Sequence, residues 1–89
     1  MKIKLELFGA SRDFSNKEFL EFNIKQKMEI KDFRKEVINY LDKNFKDNEN
    51  FIKIVKNSVF CSEDNNIVSD DFKIIKNQKI GIIPPIGGG

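Results

Sequence analysis

The sequence closes on Pro84-Pro85-Ile86-Gly87-Gly88-Gly89, a segment holding three of its five glycines. That is where residue types and spacing could do chemistry. Proline fixes φ, so Pro84 and Pro85 begin an extended, semi-rigid exit from whatever precedes them. Gly87, Gly88 and Gly89 have no Cβ and can enter a passage too narrow for side chains. Six residues at about 3.3–3.6 Å each reach roughly 20 Å. The group such an arm presents is the α-carboxylate of Gly89, which a partner holding ATP could activate as an acyl-adenylate. Taken on the glycines alone, a frayed terminus explains them equally well.

Little else in the chain could act. At 89 residues it is one domain or a fragment of one, and a domain this small has a limited core and little room for a deep cleft. With no His and one Cys, a disulfide framework, a zinc cluster and Ser-His or Cys-His catalysis are excluded within these residues. Cys61, beside acidic Glu63 and Asp64, reads as an unreactive, half-buried thiol. The net charge of +2 comes from interleaved charges, and Arg12 and Arg34 are the only arginines, so no basic stripe for nucleic acid is visible. No apolar run approaches the roughly 20 residues that span a bilayer, and the start of the chain has no leader-like segment. These features predict a cytoplasmic protein that binds no metal, nucleic acid or membrane.

The elements that must position the tail follow from periodicity. Residues 2–8 alternate, with Ile3, Leu5 and Leu7 on one face and Phe8 on the other, as a half-buried strand does. A turn over 12–16 follows. Residues 18–25 alternate again, with Leu20, Phe22 and Ile24 inward, so the two strands form an antiparallel hairpin. The period then changes. Ile30, Phe33, Val37, Leu41 and Phe45, widened by Ile38, mark an amphipathic helix over about 30–45, with Glu29 a weak N-cap. The β-branched residues Ile52, Ile54 and Val55 predict a strand over 52–56, a tight turn at Asn57-Ser58, and a return strand at Val59-Phe60. Residues 61–73 read as an irregular loop anchored by Ile67, Val68 and Phe72. Lys79–Ile83 is the last strand, with Ile80 and Ile82 inward and Gly81 and Ile83 outward.

The predicted fold class is α+β: a roll with a mixed sheet of four or five strands and one main helix packed across it. Residues 1–83 form the domain and 84–89 a flexible tail. The first and last strands lie together at the centre. Alternation then leaves Phe8 and Ile83 on the outer face near the tail, joined by Val59, as an apolar docking patch.

These residues resemble those of the MoaD family, the small sulfur-carrier subunit of molybdopterin synthase, with the ubiquitin-like β-grasp fold. The ending Ile82-Ile83-Pro84-Pro85-Ile86-Gly87-Gly88-Gly89 resembles the family's close of two apolar residues, Pro-Pro, an aliphatic, a small residue and Gly-Gly. Leu7-Phe8-Gly9-Ala10-Ser11-Arg12-Asp13 resembles its first strand and Arg-acid turn, and Ile30, Phe33 and Arg34 the start of its helix. The family's partner-binding apolar positions fall on Phe8, Val59 and Ile83.

The resemblance implies a mechanism in which this chain binds no cofactor. A MoeB-like adenylating enzyme spends ATP on the Gly89 carboxylate, and a sulfur donor converts it to a thiocarboxylate. The tail then enters a MoaE-like large synthase subunit and gives sulfur to cyclic pyranopterin monophosphate, forming the molybdopterin dithiolene. The chain would be the sulfur-donating subunit, with no catalytic side chain of its own.

Lys76-Asn77-Gln78-Lys79 departs from the acidic turn common before the family's last strand, and Gly87 stands where Ala, Ser or Thr is more usual. Three other readings share the ending or the fold. One is a protein modifier or tRNA-thiolation carrier of the archaeal small-modifier or ubiquitin-related type. Another is a thiamin-pathway carrier resembling ThiS. The third is a binding module with an inert tail.

Overall fold

The architecture was analysed in a computed structural model that describes residues 1–46 and 48–85. Strand β1 (Lys2–Leu7) leads through a 3₁₀ helix (Gly9–Phe14) into β2 (Phe19–Asn23). A short β3 (Met28–Glu29) precedes helix α1 (Ile30–Asn44), and helix α2 (Glu49–Asn57) follows. Then come β4 (Val59–Cys61), β5 (Ile67–Val68), β6 (Lys73–Ile74) and β7 (Gln78–Ile83).

The main sheet has five strands in the order β2-β1-β7-β4-β5, and β3 pairs with β6 in a separate two-stranded ladder. β1 and β2 are antiparallel, with Ile3 opposite Phe22 and Leu5 opposite Leu20. β1 and β7 are parallel at the centre, with Leu5 beside Ile80 and Leu7 beside Ile82. The sheet is therefore mixed, as expected, with its first and last strands adjacent.

The period-two apolar residues meet the helical stripe. Ile3, Leu5, Leu7, Ile80 and Ile82 on the sheet, and Ile30, Phe33, Val37 and Leu41 on α1, are all buried in one core. Phe33 lies edge-on to Phe22 at 5.4 Å and to Phe60 at 6.0 Å between ring centres.

Helix α1 begins at Ile30 without a side-chain cap from Glu29. Asp32 accepts the Glu29 N–H at 3.4 Å, and the carbonyls of Phe72 and Asp70 accept the N–H groups of Ile30 and Lys31. The stretch 61–73 thus supplies acceptors to helix donors that have no intrahelical partner.

The predicted strand over 52–56 is wrong: Glu49–Asn57 is a helix. Asn48 caps it by accepting the Phe51 N–H at 3.2 Å. Phe51, Ile54, Val55 and Ser58 recur at three and four residues and turn toward the protein; Val55 and Ser58 are buried. Tertiary burial of that stripe overrides the β preference of Ile52, Ile54 and Val55. Asn57-Ser58 is accordingly the helix end and not a hairpin turn. Ser58 donates its hydroxyl to the Ile54 carbonyl, and Val59–Cys61 pairs with β7 and β5 instead of returning on 52–56.

Three smaller expectations also change. The turn placed at 12–16 is largely a 3₁₀ helix, and its Phe14 is core, 4.9 Å from the Phe51 ring centre. The stretch 61–73 holds β5 and the start of β6, and Ile67 is exposed and anchors nothing. Cys61 is buried, not half-buried. Among the described residues, no helix is long and apolar enough to cross a membrane.

Candidate functional site: the root of the tail and its apolar face

Strand β7 ends at Ile83, at the centre of the sheet, and runs directly into Pro84 and Pro85. Pro84 is buried and Pro85 exposed. Pro84 borders Gly9: a Cβ on Gly9 would lie 3.8 Å from the proline Cδ. Gly9 has φ of +55°, a left-handed conformation that side chains other than Asn and Asp resist. It sends the chain sharply from β1 into the 3₁₀ helix beside the tail. Ile86, Gly87, Gly88 and Gly89 lie outside the described residues.

Phe8 is held in place on two sides. The Ser11 hydroxyl, fully buried, accepts the Phe8 N–H at 3.0 Å and donates to the Phe8 carbonyl at 2.6 Å. That pair fixes the backbone, with Phe8 extended at φ −123° and ψ 153°. The ring then lies over Gly81. A Cβ on Gly81 would meet Phe8 Cε2 at 3.0 Å and the Cys61 sulfur at 2.7 Å, closer than real Cβ contacts come. Gly81 is therefore the seat on which the aromatic rests, and its outward face is covered.

The sheet register assembles the rest. Val59 pairs with Ile83 across β4 and β7, and Cys61 pairs with Gly81 and with Ile67. Phe60 points inward and is fully buried, so Val59 and Cys61 point out. Phe8 is 40% exposed and Val59 42%, while Ile83 is half-buried between their strands. The structure thus brings together Phe8 and Ile83, read from alternation, and Val59, expected to join them.

Ile67 belongs to the same surface and was missed. It lies on the edge strand, directly opposite Cys61, and is 70% exposed. The sequence signal was present, since an Ile in an otherwise polar stretch need not be an anchor. Its face could not be assigned without the β4–β5 register. Beyond this apolar area the outer face turns charged, with Lys79 paired to Glu6 at 3.1 Å and Lys4 over the Phe19 ring at 4.1 Å.

On the other side of Pro84 is a groove of about 440 Å³ between the tail root and α2. Ala10, Ile54, Pro84 and Pro85 line it, with Asn50, Lys53 and Asn57 from one stripe of the helix. In the turn before β7, Asn77 accepts the Lys2 N–H through its side-chain oxygen at 2.8 Å.

Arg34, read as part of the helix-start motif, has a structural post. Its guanidinium donates to the Val55 and Ser58 carbonyls at 2.7 Å each and to Asp70 at 3.2 Å. It also lies 4.8 Å from the Phe60 ring centre. It ties α1, the end of α2 and the 61–73 stretch together. Among the described residues, no cluster of three or more His, Cys, Asp or Glu is placed to hold a metal ion.

In comparisons with known proteins, no family model and no curated protein matches the sequence. Solved structures do match. A molybdopterin converting factor subunit 1 from Pyrococcus furiosus superposes with a TM-score of 0.67 at 17% identity, over 96% of this chain and 98% of that one. SAMP1 from Haloferax volcanii superposes with a TM-score of 0.68 at 9% identity, over the full length of both. At such identities the likeness is one of fold, and it extends from end to end. The chain has the ubiquitin-like β-grasp fold.

Proposed function

We propose that this protein is a sulfur carrier that works as the small subunit of molybdopterin synthase. The Gly89 carboxylate attacks the α-phosphate of ATP on an adenylating enzyme, releasing pyrophosphate. A sulfur donor then displaces AMP and leaves a thiocarboxylate. Phe8, Val59 and Ile83, with Ile67 beside them, dock the domain on a large synthase subunit. Gly87, Gly88 and Gly89 carry the sulfur to the pyranopterin.

One observation carries this reading. The central strand of a β-grasp sheet runs straight into Pro84-Pro85 and a triple-glycine ending, next to an apolar area on the solvent face. Contiguous exposed apolar surface beside a reactive end is what a partner contact needs. A partner that supplies the catalytic groups also suits a chain without His.

The full-length likeness to SAMP1 favours a second reading, that of a protein modifier using the same adenylated carboxylate. Intact-mass measurement of protein purified from its own host separates the two. A species with one terminal oxygen replaced by sulfur, and loss of molybdopterin on deleting Gly88-Gly89, is the expected result. Isopeptide-linked ladders on other proteins' lysines, with molybdopterin unaffected by that deletion, would decide for the modifier.

A further inference from the structure

The groove beside Pro84 and Pro85 has no part in the docking patch, yet it is built at the place a tail-gripping enzyme must cover. Four residues separate Pro85 from the Gly89 carboxylate, a reach of roughly 14 Å when fully extended. An enzyme that encloses the carboxylate in a channel of comparable depth therefore brings its surface down to Pro85. Pro85 is itself a wall of the groove.

The opposite wall is one stripe of α2, at positions i, i+3, i+4 and i+7. Ile54 is half-buried, and Asn50, Lys53 and Asn57 stand exposed. Asn57 donates its amide to the Lys53 carbonyl at 2.9 Å, which fixes its orientation and leaves its oxygen free to accept. Lys53, like Lys35, forms no ion pair among the described residues. A surface that closes over the groove takes the Lys53 ammonium out of water. An unpaired charge in that position is costly, and a carboxylate from the partner offsets the cost. Phe8-Gly9-Ala10 is a continuous strip from the apolar patch to the groove, so one partner surface can span both.

We infer that this groove is a second docking site, which takes an acidic lip around the tail channel of the adenylating enzyme, with Lys53 as the residue that reads it. The inference rests on the carrier reading above. Lys53 binds and orients; it takes no part in the transfer.

The test is ATP–pyrophosphate exchange by the host's adenylating enzyme, titrated with the full-length chain. Lys53→Glu is expected to raise the half-saturating carrier concentration at least tenfold with the maximal rate unchanged. Lys53→Met should raise it about threefold and flatten its dependence on salt. Lys35→Glu, an exposed change on α1, serves as the charge control and should leave it unaltered. Circular dichroism on each variant checks the fold.

Equal behaviour of Lys53→Glu and Lys35→Glu overturns the groove assignment while the carrier reading stands. Unchanged exchange with weakened binding of the large synthase subunit also overturns it, by giving the groove to a different partner. No exchange with the wild-type chain sinks the carrier reading, and this inference with it.

Discussion

The two faces of the central strands β1 and β7 are built from the same kind of residue and do opposite work. On the inner face, Leu5, Leu7, Ile80 and Ile82 are sealed under α1. On the outer face, Phe8 rests on Gly81 and Ile83 pairs with Val59, and both Phe8 and Ile83 are partly exposed. Burial of a large apolar side chain stabilises a fold by about 1.5–3 kcal/mol, and a half-exposed one contributes only part of that. The inner face therefore holds the domain together. The outer face leaves apolar area exposed, and the proposed docking rests on it. The backbone around it is tightly specified, by the Ser11 hydrogen bonds and by the missing Cβ at Gly81. A patch that were simply surplus would not need such support.

This contrast can be broken in graded steps. Phe33→Ala on the inner side should cost about 3–5 kcal/mol in urea unfolding. Against a typical total of about 5–15 kcal/mol, that leaves a marginal domain. Next comes Arg34→Met, which removes charge-assisted hydrogen bonds to Val55 and Ser58. The expected loss is about 3 kcal/mol, since hydrogen bonds to charged groups are worth about 1.5–3 kcal/mol. Proteolysis should then cut first around α2 and 61–73. If Arg34→Met proves neutral, the clamp is decoration.

Gly81→Ala is the crossover case. Its methyl must displace Phe8 or the Cys61 sulfur, and overpacking costs about 1–3 kcal/mol. We expect partner affinity to fall by more than stability does, read by calorimetric titration against the large subunit. The smallest effect on folding is expected for Phe8→Asp: within about 1 kcal/mol in stability, because the residue is at the surface. Its effect on binding should be at least tenfold, about 1.4 kcal/mol. Global unfolding of Phe8→Asp would show that the ring is core and remove the distinction between the faces.

How much of this was legible beforehand depended on the distance over which each signal acts. The alternation of Ile3, Leu5 and Leu7 and the stripe Ile30-Phe33-Val37-Leu41 are local patterns, and they gave the hairpin and α1 correctly. They also gave the outward sense of Phe8 and Ile83. The segment 49–57 misled because its β-branched composition and its helical spacing point in opposite directions. Contact of Phe51 with the Phe14 and Phe45 rings, 4.9 and 5.1 Å away, and burial of Val55 decide for the helix. Phe14 reads as a turn residue because nothing local shows that the turn is buried.

By itself the sequence determined the period of each major strand and of α1, and the chemical character of an ending rich in Pro and Gly. These depend on neighbours a few residues apart and on intrinsic backbone freedom. The tertiary structure alone decided that α2 is a helix, that Asp70 and Phe72 cap α1, and that Gly81 is the seat of Phe8. It alone placed Ile67 beside the patch and a lysine-rimmed groove beside Pro85. Each of those depends on atoms brought together across the chain, and such contacts exist only once the sheet order and register are set.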